Sequence, residues 1–246
     1  TVISTGGYMS LPLCVASKIL KIRLFLFEPN IVLGRSNKLF INSCEKIFCY
    51  SDKIKNFSYK LKNKISLIPT LLRKEFYSVK VAETTIDKEI NLLIIGGSQG
   101  AKLFDNIISE SIIKLCKKYK LKVFQQTSSD NYEYLKSFYL QNNIKNELFN
   151  FNENIINFMS KSNICITRAG ASTLAELIYL NVPHIAIPLP SAKDNHQFEN
   201  ASLYQKFSCN WILMQNEINN VSLTDKLVNI IENKEDYLDK KKNMKN

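Results

Sequence analysis

Seven glycines serve the whole 246-residue chain. They fall in four short stretches: Gly6 and Gly7 in TGGYMS, Gly34 in VLGRSN, Gly96, Gly97 and Gly100 in GGSQGA, and Gly170 in TRAGAST. Glycine tolerates unusual backbone angles and lets another group approach closely, so this distribution marks where the backbone has a special task. GGSQGA and TRAGAST each follow a strand-like apolar run and open a helix-like pattern. There the first N–H groups of a helix lack carbonyl partners and the positive end of its dipole faces outward. That is a place for a phosphate. Ser98 in one stretch, and Ser172 and Thr173 in the other, add small hydroxyl donors. The plain alternative is that each stretch is only a tight strand-to-helix turn.

Glu176 admits two readings. TLAE from Thr173 has the T-x-x-E form of a capping box, which spacing alone favours; the other reading sends the carboxylate to two vicinal ribose hydroxyls. Further on, PLPSAKDNHQFENA (188–201) gathers Asp194, Asn195, His196, Gln197 and Asn200 in a polar loop that runs into a helix. Amides donate and accept at once, which suits sugar hydroxyls better than proton transfer; a helix start capped by Asp194 or Asn195 is the simpler account. His184, in VPHIAIP, reads as a core or strand-edge histidine, and Trp211 as a core residue. The six cysteines (14, 44, 49, 116, 165 and 209) show no C-x-x-C spacing, so they read as reduced thiols in apolar runs and not as a zinc site or disulfide framework.

These stretches need a frame. Short apolar runs at 24–27, 46–51, 65–69, 91–96, 122–127, 164–167, 184–190 and 210–214 alternate with helix-period segments such as KLFDNIISESIIKLCKKY, where Phe104, Ile108, Ile112 and Leu115 share one face. Near-continuous apolar strands between helices predict parallel sheets covered on both faces, a doubly wound α/β architecture. The rhythm lapses at 73–90, a domain boundary that leaves about three strands before it and about five after. From about residue 233 the chain turns to NKEDYLDKKKNMKN, a polar tail. Thr1 is the first residue and Met9 the first methionine, so the chain reads as a piece beginning inside a longer protein. The composition, 45% hydrophobic with 33 Lys+Arg against 22 Asp+Glu and a formal net charge of +11, excludes disorder and favours acidic partners. No run reaches the ~18 apolar residues of a membrane span. Nucleic-acid binding has no motif behind it.

Together the segments resemble the MurG family of bacterial peptidoglycan glycosyltransferases. TGGYMSLP is similar to the family's T-G-G-Y-x-S-x-P, and FEPNIVLGRSN to its H-E-Q-N-x-x-x-G-x-x-N. GGSQGA and RAGASTLAELIYLNVPHIAIPLPSAKDNHQFENA are similar to its donor-site segments. The resemblance runs from residue 1 to roughly residue 214. It implies the GT-B type of α/β fold, two doubly wound parallel-sheet domains, the first incomplete here. Residues 1–73 would be the C-terminal part of the acceptor and membrane-side domain, 74–90 a linker, 91–233 the UDP-GlcNAc donor-binding domain and 234–246 the tail.

The activity implied is inverting transfer of N-acetylglucosamine from UDP-GlcNAc to the muramoyl C4 hydroxyl of lipid I, giving lipid II, by a peripheral enzyme on the cytoplasmic, inner face of the cell membrane. Gly97, Ser98 and Gln99 would lie against the diphosphate and donor sugar. Ala171, Ser172 and Thr173 would offer a second helix start to the phosphates, and Glu176 would bind the ribose. Gln197 and Asn200 would read the sugar, Phe151 and Asn152 would sit where backbone recognises uracil, and Arg73 and Asn30 would stand near the donor. The partners implied are UDP-GlcNAc, lipid I and an anionic membrane surface, with no nucleic acid; no cofactor is implied and, without an Asp-x-Asp motif, no required metal. The segment PLCVASKILKIRLFLF could join a membrane patch, although a buried helix and strand explains it more simply.

The departures from the family pattern bear on catalysis. The family's G-T-G-G-H loop, with the histidine most often proposed for catalysis, does not occur in this chain. Phe27 and Pro29 replace His and Gln, and TLLR lacks the Asn-Pro of N-P-V-R. Glu28 is then the base candidate. A nucleotide-sugar 2-epimerase, or a noncatalytic UDP-sugar-binding remnant or donor subunit, are the alternatives.

Overall fold

The computed structural model describes residues 1–79, 81, 85, 86, 89–150, 154–219 and 221–245; the side chains of residues 97–103, 106, 107 and 193 lie outside the description. The chain divides into two compact units, Thr1–Leu71 with Ala192–Asn200, and Leu72–Ser191 with Ala201–Asn246. Among the described residues each unit is built on one wholly parallel sheet.

In the first unit, β1 (Val2–Ser4), β2 (Leu24–Glu28), β3 (Lys46–Cys49) and β4 (Ile65–Leu67) lie in the order β1-β2-β3-β4, with α1 (Leu11–Ile19) and α2 (Arg35–Phe40) in the crossovers. Register pairs Val2 with Leu24, Phe25 with Lys46 and Ile47 with Ile65. Period-2 alternation shows in β2, whose Leu24, Leu26 and Glu28 are buried while Phe25 and Phe27 are half-buried. Leu24, Leu26 and Ile47 pack with Cys14, Phe40, Cys44 and Cys49. Lys64 caps the end of α2, donating to the carbonyls of Ile41, Asn42 and Cys44 at 3.1, 2.8 and 2.6 Å.

The simpler expectation for α1, a buried helix, holds for one face only. Cys14 and Ser17 are buried. Leu13, Val15 and Ile19 are exposed, as are Leu20 just after the helix and Tyr8 and Met9 just before it. Nine residues with small Cys14, Ala16 and Ser17 on the inner side leave the larger apolar side chains turned outward.

The second unit carries β5 (Ile90–Ile95), β6 (Leu121–Gln126), β7 (Lys145–Phe149), β8 (Ile164–Thr167), β9 (His184–Ala186) and β10 (Trp211–Ile212) in the order β10-β9-β8-β5-β6-β7. The helices are α3 (Gly97–Cys116), α4 (Ser129–Gln141), α5 (Ile155–Lys161), α6 (Ala171–Tyr179), α8 (Ser222–Glu232) and α9 (Lys234–Met244); α7 (His196–Lys206) belongs to the first unit up to Asn200 and to the second from Ala201. The α3 stripe of Phe104, Ile108, Ile112 and Leu115 is buried with Leu92, Val123, Ile166 and Leu227 in the main core. His184 and Trp211 are buried, and the six cysteines are unpaired, five of them buried.

Two strands escaped the sequence reading. β1 holds only two apolar residues, Val2 and Ile3, at the first positions of the chain, where no preceding pattern frames them. β7, KNELF, mixes charged and apolar residues because it is an edge strand with one half-exposed face. The segment read as a polar tail instead forms α9, which buries Tyr237 and Met244 together with the stems of Lys240 and Lys241. Lysine stems packed on aromatic rings supply an apolar face that hydropathy does not register.

Candidate functional site

In the second unit the chain proceeds outward from β5 through β6 to β7, then returns to the other side of β5 for β8, β9 and β10. The order reverses between β5 and β8, and an open parallel sheet binds ligands in the crevice beyond the carboxyl ends of its strands at such a point. The loops after these two strands are GGSQGA and TRAGAST. β5 ends at Ile95 and α3 begins at Gly97 with Gly96 at its cap, so only one residue separates strand from helix. Gly97, Ser98 and Gln99 form the first turn of α3; the side chains of Ser98 and Gln99 lie outside the described residues.

β8 ends at Thr167, and α6 starts at Ala171 with Gly170 at its cap and no side-chain cap hydrogen bond. Ala171, Ser172 and Thr173 are thus the first turn, whose N–H groups have no carbonyl behind them in an α-helix. This corrects the capping-box reading, because Thr173 lies inside the helix and cannot be its cap. Glu176 instead accepts from Arg73 Nε at 3.0 Å. Burial pushes the Glu176 carboxyl up from its ordinary range, and the Arg73 hydrogen bond and charge oppose that. Arg73 also stacks over Phe76, 5.0 Å from the ring centre. Phe151 and Asn152 lie outside the described residues.

Arg168 was not singled out from the sequence. It sits between β8 and α6, 7% exposed, with Nη1 donating to the carbonyls of Ile187 at 3.2 Å and Pro188 at 3.4 Å. Its guanidinium lies 4.8 Å from the Phe104 ring centre, and its buried Nε has no partner among the described residues. Burial lowers its pKa to about 10, so it stays a cation at neutral pH. An arginine following four buried strand residues, with no acidic neighbour in sequence, is the signal that could have found it.

In the first unit, Glu28, Asn30, Gly34 and Asn37 meet. Glu28 Oε1 accepts from Asn30 N at 3.2 Å and Asn30 Nδ2 at 2.9 Å; Oε2 accepts from Gly34 N at 2.8 Å and Asn37 Nδ2 at 2.9 Å. Asn200 joins them, its Oδ1 accepting from Ile31 N and its Nδ2 donating to Asn30 Oδ1, both at 3.1 Å. The E-x-N-x-x-x-G-x-x-N spacing is therefore the spacing of one carboxylate and its donors. The expected base, Glu28, is 2% exposed, and each of its oxygens accepts two hydrogen bonds. These bonds hold the loop over residues 28–37. Asn30 and Asn200, expected at the donor, bond to each other in this cluster. Gln197 is half-buried in the first turn of α7. A cavity of about 300 Å³ adjoins, lined by Tyr8, Leu11, Leu33 and Leu39 with Arg35 and His196. Gly6 and Gly7, at φ +81° and +83°, shape the turn beside it. Among the described residues, no group of three or more His, Cys, Asp or Glu could hold a metal ion.

Residues 91–246 match the Glycosyltransferase family 28 C-terminal domain. Over 245 residues, all of this chain and 68% of the relative, the chain is 62% identical to the UDP-N-acetylglucosamine--N-acetylmuramyl-(pentapeptide) pyrophosphoryl-undecaprenol N-acetylglucosamine transferase of Pelagibacter ubique (strain HTCC1062). The chain belongs to the MurG family. A MurG-family transferase of the same description from Rickettsia canadensis (strain McKiel) is 39% identical over 236 residues, 94% of this chain and 67% of that protein. The crystal structure of Acinetobacter baumannii MurG matches with a TM-score of 0.79 at 23% identity, over 99% of this chain and 69% of that one. A UDP-GlcNAc 2-epimerase from Neisseria meningitidis shares the fold alone, with a TM-score of 0.66 at 14% identity, over 98% of this chain and 70% of that one.

Proposed function

We propose that this MurG-family chain transfers N-acetylglucosamine from UDP-GlcNAc to the muramoyl C4 hydroxyl of lipid I, with inversion at the anomeric carbon, forming lipid II. The observation that carries the donor half of this reading is the pair of helix starts, α3 and α6, at the switch point of the six-stranded sheet, with Arg168 and Glu176 beside the second. Attack by the hydroxyl oxygen forms the new C1–O bond as the bond to the diphosphate breaks. The electron pair leaves on UDP and the hydroxyl proton goes to a base. Helix-start N–H groups and the Arg168 cation stabilise the charge that develops on UDP.

In this reading Gly97, Ser98, Gln99, Ala171, Ser172 and Thr173 face the diphosphate, and Glu176, oriented by Arg73, takes the ribose hydroxyls. Phe151 and Asn152 read the uracil by backbone, and Gln197 reads the sugar. Glu28 and Asn200 hold the 28–37 loop that carries Asn30. The domain roles follow: the first unit serves the acceptor and the second the donor. A lipid-linked acceptor calls for work at a membrane surface. The exposed apolar face of α1, with Lys18 and Lys21 beside it, suits the anionic inner leaflet. Among the described residues no helix is long and apolar enough to cross a membrane; peripheral attachment is the proposal.

The test is incubation of the full-length protein with labelled UDP-GlcNAc and a lipid I analogue. Label appearing in a β-linked disaccharide product is expected. Label appearing as UDP-N-acetylmannosamine without any use of the acceptor would favour a 2-epimerase and contradict the proposal.

A further inference from the structure

We propose that Asp105 is a positioning residue, which pins α3 in rotation and along its axis so that the helix's first turn meets the donor diphosphate; the inference rests on the donor site proposed above. Asp105 is fully buried near the middle of α3 and, among the described residues, no cation pairs with it. Three donors from two other elements converge on its carboxylate instead. Gln125 Nε2, on β6, donates to Oδ1 at 2.6 Å; Thr127 Oγ1, just after β6, donates to Oδ2 at 3.2 Å; and Asn131 Nδ2, in the first turn of α4, donates to the same oxygen. The direction of the chain is set further back, where Tyr139 OH donates to Gln125 Oε1 and turns the Gln125 amide N–H towards Asp105.

The neighbouring residue reaches the other way. Phe104 lies under the Arg168 guanidinium, on the β8 side of β5, while Asp105 grips the β6 side. Two consecutive residues of α3 thereby tie the helix to the loops on both sides of its own strand. Apolar packing of Ile108, Ile112 and Leu115 is not directional and tolerates sliding, whereas a carboxylate among three aimed donors is directional. A buried carboxylate without a counter-charge is costly to keep, and fixing a register is the best-attested use of such a group. Asp105 lies eight residues from Gly97, about 12 Å along the axis at the α-helical rise. A displacement there reaches the phosphate-facing N–H groups undiminished, and misplacement by about 1 Å can cost two orders of magnitude in rate.

The test compares UDP with uridine, which lacks the phosphates, by calorimetry and ligand-observed NMR on the wild-type chain, Asp105→Ala, Asp105→Asn and Asn131→Ala. The expected result is a roughly tenfold or greater loss of UDP affinity in Asp105→Ala and smaller losses in the other two, with uridine affinity unchanged. In the transfer assay KM for UDP-GlcNAc should rise in the same order. Folded Asp105→Ala that binds UDP as the wild type does, or variants that lose UDP and uridine equally, would overturn the positioning role and leave the donor site standing. A wild-type chain that fails to bind UDP would remove the donor site itself and the inference with it. If Asp105→Ala does not fold, Asp105→Asn and Asn131→Ala decide: unchanged UDP affinity in both would overturn the proposal.

Discussion

Gly34 and Glu28 constrain each other at the distance of a single atom. A Cβ built on Gly34 would stand 3.0 Å from Glu28 Oε2, while the Gly34 backbone itself is ordinary extended chain. Gly34→Ala should therefore act by crowding alone, at about 1–3 kcal/mol, visible as a lowered melting temperature. Glu28→Gln would turn an amide N–H toward donors that now meet an oxygen, and each buried donor left unmet costs about 1–3 kcal/mol. The expected outcome is a fall in melting temperature accompanied by loss of turnover. A fall in kcat with stability intact would mark Glu28 as the base. The spacing of these residues was legible in the sequence, but the gathering of their donors around one carboxylate was not, because hydrogen bonds across a loop leave no local pattern.

The Glu176 pair makes a separate, pH-dependent prediction. Burial already raises its carboxyl and Arg73 opposes the rise, so Arg73→Met should raise it further. If the ionised carboxylate receives ribose hydroxyls, UDP affinity falls as pH drops through that pKa. Titrations across mildly acidic to neutral pH should then show the fall beginning at a higher pH in Arg73→Met than in the wild type. Coincident curves would separate Glu176 from nucleotide binding.

At the scale of elements, α9 shows what hydropathy misses. Trp211 Nε1 on β10 donates to Asp236 Oδ2 at 2.8 Å, and Lys240 both pairs with Asp236 at 2.8 Å and lies 5.1 Å from the Trp211 ring centre. Tyr237 OH donates to the Asn163 carbonyl at the foot of β8, at 3.0 Å. Charged residues here pack a helix onto the sheet, so KEDYLDKKKNM reads as a solvated tail until its partners are known. Trp211→Phe leaves Asp236 without that donor and should cost about 1.5–3 kcal/mol, the value of a hydrogen bond to a charged group, measured by denaturant unfolding.

His184 on β9 adds an acid-sensitive term. Burial holds its imidazole neutral and pushes its pKa down to about 4 from 6.5. The unfolded chain takes up this proton near pH 6.5 and the folded chain not until about 4, so stability falls as pH drops through that window and levels off below it. The size is at most on the order of 3 kcal/mol. His184→Leu should flatten the melting temperature across the window. An unchanged slope would assign the acid sensitivity to other groups. A core place for His184 was one of the two readings that VPHIAIP allowed; the edge strands β1 and β7 were not legible, one with two apolar residues and no pattern before them and the other too mixed for a period to appear.

For the molecule as a whole, the two parallel sheets follow from apolar runs alternating with helix-period segments, and the placement of both glycine-rich helix starts at one switch point follows from the order of six strands, which no local pattern contains. Arg168 illustrates the difference: its residue type is visible in TRAGAST, but its burial between Phe104 and the carbonyls after β9 is a product of the whole sheet. Transfer requires that this sheet edge bind the nucleotide sugar. Calorimetric titration with UDP-GlcNAc of the wild-type chain and of Glu176→Ala tests it most directly. Saturable one-to-one binding is expected, weakened about tenfold or more when the carboxylate that receives the ribose is removed. A folded wild-type chain without binding, or a folded Glu176→Ala chain with undiminished affinity, would contradict it.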